Sequence, residues 1–396
     1  MNYSTGTAKL ELAYDEDGCI IDVRSLFARF GQLRDGRDRR GLQYPLAVVL
    51  TVYTLAKLAG EDEPAGVAAW ARLRQSWLAE VFNLKRPRMP HATTFRRVFE
   101  HAVCLSELQN VLSDFLKDTP MAKQSVVVSV DGKRLRGSIP LGQEKGLYLL
   151  AAYLPQAGVV LMQVEVARHQ SELSVAPQVL EMLDLQGKIV TGDALFTQRD
   201  LSVQIVEAGG EYLWQAKDNQ LHLRQAIEQL FELEVCVKGF SPGPTDFQTA
   251  HTLEKGHGRL EERTLTASSL LGDYLDWPYV EQVFKLERRL TNLKTKHTSY
   301  EISYGLTSLT AQEANPARLL QLVRWHWGIE NGLHYRRDVT CHEDAVRTTQ
   351  PRLAQVMAMI NNLIIGLTRR EGFANLAQAR RYFNAHTDRA LSLLFH

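Results

Sequence analysis

The sequence predicts an α/β protein: a mixed sheet with flanking helices, preceded by an all-helical part and interrupted by a β-rich stretch. Three observations carry this. Runs of β-formers at residues 125–132, 146–155 and 158–166 are followed by helix, strand, helix, strand, the order of a mixed sheet. Before about residue 120, apolar residues recur at helical spacing. From about 245 to 310 the pattern alternates with period two, and helix then returns.

In order, LAVVLTVYTLAKLAG follows Pro45 and closes at Gly60, a good helix terminator. AGVAAWARLRQSWLAEVFNL places Val67, Trp70, Leu73, Trp77 and Val81 on one helical stripe. Thr93 or Thr94 is expected to cap a short helix carrying Arg96 and Arg97. Short helices with tight turns suit a helix-turn-helix-like module. SVVVSVDG, GLYLLAAYLP and GVVLMQVEV read as strands, with a turn from Pro155 to Gly158. SELSVAPQVLEML reads as helix despite Pro177. KIVTGDALF is a strand ending in a turn, QRDLSVQIVEAGG a helix, and EYLWQAK a strand. Residues 219–235 read as helix, and the strands of 245–310 as antiparallel. ANPARLLQLVRWHWGIENGLHYRRDV and TTQPRLAQVMAMINNLIIGLTRREG are helical. The expected organisation is a helical part at 1–120, a core formed by 121–218 and 311–370, a β-rich insertion at 219–310 and a helical tail at 371–396.

With 396 residues, 45 % hydrophobic and 23 % charged, the chain can bury a sizeable core and is not disordered or collagen-like. The formal net charge is +1, so any nucleic-acid surface must be a local patch. Cys19, Cys104, Cys236 and Cys341 are scattered without a C-x-x-C pair, so neither a disulfide framework nor a cysteine zinc site is indicated. The first 18 residues lack the basic start and apolar core of a signal peptide. Leu46 to Ala59, the longest apolar run, is too short for the ~20 residues that span a bilayer. A cytoplasmic protein without membrane association is expected.

Asp131 follows a run of valines. Asp-Gly after a strand ordinarily marks a turn, but the sequel GKRLRGS, with Lys133, Arg134 and Arg136, suits a metal-binding acid beside a phosphate-binding loop. Asp193 ends the strand in TGDALF. It reads equally as a capping residue or as a second acid meeting the first at one sheet edge, where open sheets place sites. A lone helical glutamate is ordinarily solvated. Glu330, however, lies among Trp325, Trp327, Ile329 and Leu333, and shares a helix face with His326 and His334. Asp338, Glu343 and Asp344 are rival carboxylates. His334, Cys341 and His342 raise a zinc alternative, but no compact spacing completes four ligands. Three acids from two strands and a helix suit oxygen-ligated Mg²⁺, with Mn²⁺ able to substitute, and a two-ion phosphoryl displacement. Basic clusters fall at Arg34, Arg37, Arg39 and Arg40, at Lys85, Arg86 and Arg88, and at Lys285, Arg288, Arg289, Lys294 and Lys296. Each alone reads as solvated surface; together they suit a phosphate-tracking face.

VDGKRLRGS, TGDALFTQRDL, KDNQ, GHGRLEERT and HWGIENGLHYRRDV…ED resemble the H-repeat-associated (ISAs-type) insertion-sequence transposases. LRDGRDRRGLQYPLAVVL…AGVAAWA resembles the helical domain that accompanies their catalytic core. The resemblance spans nearly the whole chain. It implies a DDE transposase with an RNase H-like core that cuts the ends of an insertion sequence and joins them to target DNA. Asp131, Asp193 and Glu330 match the three family acids as catalytic and metal-binding residues. The wider group often shows Tyr-x2-Arg-x3-Glu-x6-Lys around the third acid; here those slots hold Val323, His326, Glu330 and Arg337. RHQSEL stands where a Lys-Ser-Asn-Glu-like segment is usual, keeping Ser171 and Glu172. Lys133, Arg134, Arg337, Arg96 and Arg97 are the expected DNA contacts. Double-stranded DNA, both element end and target, is the expected partner, with a homodimer in the DNA complex and a bacterial, nucleoid-associated setting. The alternatives are a decayed or domesticated DNA-binding protein, or a metal-dependent nuclease on the same fold.

Overall fold

The structure is a computed structural model that describes residues 12–14, 20–22, 24–38, 40, 42–232, 246–256 and 258–395. Cys19, Cys236, Arg39, most of the N-terminal stretch and residues 233–235 of the expected helix lie outside the described residues.

A small hairpin, β1 (Leu12–Tyr14) and β2 (Ile20–Asp22), precedes seven helices. These are α1 (Leu26–Gly31), α2 (Leu46–Leu58), α3 (Pro64–Leu73), α4 (Gln75–Val81), α5 (Ala92–Arg97), α6 (Leu105–Lys117) and α7 (Pro120–Gln124). All thirteen residues of α2 are buried, as an apolar helix without a polar face requires. Gly60, at φ +109°, follows it in a conformation that suits glycine. Two expectations change here. The stripe from Val67 to Val81 is split between α3 and α4 at Arg74: Val67 and Trp70 are buried, but Leu73 is 81 % exposed. The cap of α5 is His91, whose Nδ1 accepts from Thr93 N, rather than either threonine.

The core strands are β3 (Val127–Arg134), β4 (Tyr148–Leu154), β5 (Val159–Glu165), β6 (Ile189–Gly192) and β7 (Glu211–Ala216), with α8 (Glu172–Glu181) and α9 (Arg199–Glu207) between them. Pro177 sits inside α8, which Ser171 opens with a capping box to Ser174. After α10 (Leu221–Glu232) come β8 (Gln248–Gly256), β9 (Arg259–Ser268), β10 (Gln282–Asn292) and β11 (Thr298–Thr307). One nine-stranded sheet contains all of these, ordered β5-β4-β3-β6-β7-β11-β10-β9-β8. The first three are antiparallel, and β3, β6 and β7 are parallel, the arrangement expected of an RNase H-like sheet. The β-rich insertion continues this sheet, because β11 pairs antiparallel with β7.

Four helices complete the chain: α11 (Pro316–His326), α12 (Pro351–Arg370), α13 (Leu376–Ala385) and α14 (Thr387–Phe395). The helix expected to run on through Glu330 is broken. After α11, residues Glu330–His334 and Arg336–Thr340 form π-helical turns, a distortion frequent at functional sites. On one face of the sheet α11 packs on Val127, Ile189, Leu213 and Leu286. The opposite face, the N-terminal helices and α12–α14 share one large apolar cluster. There α2 packs against α12, α13 and α14, and Phe27 stacks on Phe395 with ring centroids 4.6 Å apart.

A buried polar knot joins the same elements. Lys57, fully buried on α2, lies 3.1 Å from Asp62. Asp62 also receives Arg380 of α13 at 2.8 Å and His342 at 2.9 Å. Burial works against the Asp62 charge, but Lys57 and Arg380 hold its carboxyl below the usual range.

Candidate active site

Strand pairing brings the first two acids together. In the parallel pair β3–β6, Val130 stands opposite Gly192, so Asp131 and Asp193 follow at adjacent positions on neighbouring strands. The turn expected at Asp-Gly does not form. β3 continues to Arg134, with Asp131 opposite Ala151 and Gly132 opposite Leu150. Asp193 is exposed and also caps a short 3-10 turn, its Oδ1 accepting from Leu195 N at 2.9 Å. The residue is therefore a cap that also stands beside Asp131 at the strand ends.

Side chains alternate along β3. Asp131 and Lys133 share a face with Val127, toward the segment that follows α11. His334 Nε2 donates to Asp131 Oδ2 at 3.1 Å. His326 Nδ1 lies 3.3 Å from Thr191 Oγ1, two residues before Asp193. Burial pushes the His326 imidazole below its usual value, against the pull of Asp131 and Asp193. It is therefore a neutral hydrogen-bonding group at physiological pH. Glu330 lies midway between these two histidines on a broken helix whose flanks both meet the aspartate strands.

The four acids of this region fare differently. Lys133 Nζ is 2.6 Å from the carboxylate of Asp338. Glu343 is buried against Arg337 at 2.8 Å, and Asp344 Oδ1 accepts from Arg136 N at 2.9 Å. Glu330 is exposed and has no ion pair or hydrogen bond to its carboxylate among the described residues. The zinc alternative disperses: His334 meets Asp131, His342 meets Asp62, and Cys341 is buried. Among the described residues no group of three or more His, Cys, Asp or Glu side chains is poised to hold a metal ion.

A further carboxylate, kept in the RHQSEL segment but given no role from sequence, lies close by. Glu172, the first residue of α8, approaches β3 over Gly132, where a Cβ would stand 2.7 Å from its Cδ. The Tyr148 hydroxyl donates to its Oε1. Its carboxyl is pushed up to about 7 by burial and then by the negative charges of Asp131 and Asp193. Carboxylate oxygens are the hard donors that a divalent cation such as Mg²⁺ prefers, so the residue types here suit such an ion. The available signal was the Ser171–Glu172 pair, which also serves as an ordinary helix start.

The basic residues divide by burial. Arg134, Arg96 and Arg97 are exposed, as are Lys85, Arg86 and Arg88. Lys133 is 8 % exposed and tied to Asp338. Arg337, expected at a phosphate, is fully buried, with Nε on Glu343 and Nη1 on Gln163 at 3.2 Å. It braces the π-helical segment from inside. Arg37 pairs with Asp35, and Lys285 and Arg288 pair with Glu287, Glu261 and Glu301.

Residues 122–367 match the family described as Transposase DDE domain, and residues 27–116 its companion, described as DDE_Tnp_1-associated. The chain belongs to the DDE transposase family. Domains of this family act with divalent metal ions. Two relatives match most of this transposase. "Putative transposase YncI" of Escherichia coli O157:H7 is 26 % identical over 355 residues, 88 % of each chain. "H repeat-associated putative transposase YhhI" of Escherichia coli K12 is 23 % identical over 93 % of this chain and 97 % of its own length. No described helix of the transposase is long and apolar enough to cross a membrane.

Proposed function

We propose that this transposase cuts the ends of its own mobile element and joins them to target DNA, with Asp131, Asp193 and Glu330 as the catalytic carboxylates. The observation that carries the reading is that Asp131 and Asp193 directly follow the paired residues Val130 and Gly192, beside a helical segment whose His326 and His334 touch these strands and whose Glu330 is exposed without a partner among the described residues. Two Mg²⁺ ions, or Mn²⁺ in their place, held by these three side chains would supply Lewis acidity and a stabilised leaving oxygen. His334 donates to one Asp131 oxygen and the Gly132 amide to the other at 2.9 Å, so the carboxylate is held in one orientation. Arg134, exposed at the end of β3, meets phosphate charge. In joining, the 3′ hydroxyl oxygen of a cut end bonds to a target phosphorus as that phosphorus loses its own 3′ oxygen. The attacking hydroxyl gives its proton to solvent, and the leaving oxygen regains one. Recognition of the ends rests in part on the N-terminal helices, and holding two ends together calls for a homodimer on DNA in the cytoplasm.

Purified protein given a duplex carrying the element end and a plasmid target tests this. A transposase cuts and joins; a decayed DNA-binding protein does neither; a nuclease cuts without joining. Mg²⁺ or Mn²⁺ should support both steps, and full activity with zinc alone would overturn the oxygen-ligand assignment.

Arg96→Ala with Arg97→Ala should weaken end binding. Both arginines are exposed on α5, and each lost phosphate contact should reduce the salt slope by about one. Unchanged binding and salt dependence, measured by titration at several salt concentrations, would place them on an ordinary solvated face.

A further inference from the structure

Two depressions adjoin the carboxylate-bearing segments: one is lined by Trp327, Gly328 and Asn331 around Glu330, the other by Glu172 and by Leu195, two residues after Asp193. The first, a cavity of about 320 Å³, is walled by β7, the insertion strands and the end of α11. Trp327 is 41 % exposed there, with the Arg288 guanidinium 5.8 Å from its ring centre. Most of its cations are already neutralised: Arg263 and Arg288 on Glu261 at 2.7 and 2.5 Å, and Arg324 on Glu254 at 2.7 Å.

The second lies toward the free β5 edge of the sheet. It is a cavity of about 280 Å³ formed by the end of β3, the start of β4 and the segment between β5 and α8. Arg134, Lys145 and Arg168 line it, all exposed. Among the described residues none of the three is ion-paired with a carboxylate. Arg134 rests over the Tyr148 ring at 5.7 Å, and Arg168 donates to Gln143 Oε1 at 2.6 Å. Glu172 and Leu195 belong to the same wall; Glu172 lies over Gly132, next to Asp131, and Leu195 stands two residues after Asp193.

We propose that this edge groove holds the phosphate backbone of target DNA during joining; the assignment rests on the cut-and-join reading above. In-line displacement sets the attacking and leaving oxygens on opposite sides of the phosphorus, so the two DNAs reach the carboxylates from different sides. An element end must be recognised by sequence, which needs groups that read or stack on bases. A target accepted for its backbone needs only charge, since phosphate contacts position DNA without reading it. The insertion-side depression has an exposed indole and little free charge. The edge groove has three uncompensated cations and no exposed aromatic face beyond Tyr148, which Arg134 covers.

The test is the full-length Lys145→Gln/Arg168→Gln variant in two assays: cleavage of a duplex carrying the element end, and joining of a precut end to a plasmid. Joining should fall about tenfold, and its log–log salt dependence should flatten by about two, one for each lost phosphate contact. Cleavage should stay within about twofold, because the groove's phosphate contacts are spent on the other DNA. Lys145→Arg/Arg168→Lys, which keeps both charges, should join as the wild type does. An equal fall in cleavage and joining would assign the groove to the element's own DNA and overturn the proposal, as would unchanged joining. Wild-type protein that neither cuts nor joins would instead overturn the function. Binding of non-specific duplex would then decide the groove: weakened in the variant, the groove holds DNA backbone; unchanged, it does not.

Discussion

Glu330→Gln is expected to abolish end cleavage and joining to below about one part in a hundred, a loss of roughly 3 kcal/mol of transition-state stabilisation, while end binding survives. The substitution keeps shape and removes the charge that would hold a cation. The protein itself has little to lose, since Glu330 is exposed and unpartnered. Asp338→Asn offers the contrast. Asp338 is engaged by Lys133 at 2.6 Å, so its loss should frustrate a structural pair and reduce the rate more mildly. Purified variants compared for binding, cleavage and joining decide the matter. Near-normal cleavage by Glu330→Gln beside a dead Asp338→Asn would move the third acid to Asp338.

Glu343→Gln should be the most destabilising single change near the site, at about 3–5 kcal/mol, because it strands a buried guanidinium without its counter-ion. Arg337 is sealed from solvent and its Nη2 already lacks a partner, so water cannot replace the lost counter-ion. Glu343 also accepts from Asn361 of α12 at 2.9 Å, so the loss spreads to the central helix. Burial opposes the Glu343 charge, yet Arg337 holds its carboxyl below the ordinary value of 4.5. Its contribution is therefore fully present above that value and is lost as the pH falls through the lowered one. Wild-type protein should lose stability in acid over this window, and Glu343→Gln should lose less across it. Urea midpoints measured at several pH values would show this. A Glu343→Gln midpoint equal to wild type at neutral pH would mean that the pair contributes nothing.

Much of the sheet was legible from sequence because its signals are local. Valine runs, a Pro–Gly turn and alternating polarity mark strands, and helices between strands enforce parallel neighbours. That logic also brought Asp131 and Asp193 together. What stayed hidden depends on contacts between distant segments. The run of β3 through Gly132 to Arg134 is secured by β4, whose pairing outweighs the local turn preference of Asp-Gly. Arg337 looked like a phosphate ligand because a cation at that spacing is all a sequence displays. Its burial is set by Glu343 and Gln163, the latter 174 residues away. Glu172 was masked by its second employment at a helix start. The π-helical turns at Glu330 have no residue signature of their own.

The wrapping of α2 bears on how copies of such a gene decay. The helix is buried on every side, and part of that cover comes from α12, α13 and α14, about 300 residues later in the sequence. A copy truncated before α12 would leave an apolar thirteen-residue helix and a lysine without its α13-braced partner open to water. Such a product is expected to misfold and be degraded. It would not persist as a DNA-binding fragment able to occupy element ends and silence intact copies. Interfering variants should instead come from point changes at the carboxylates, which spare the fold.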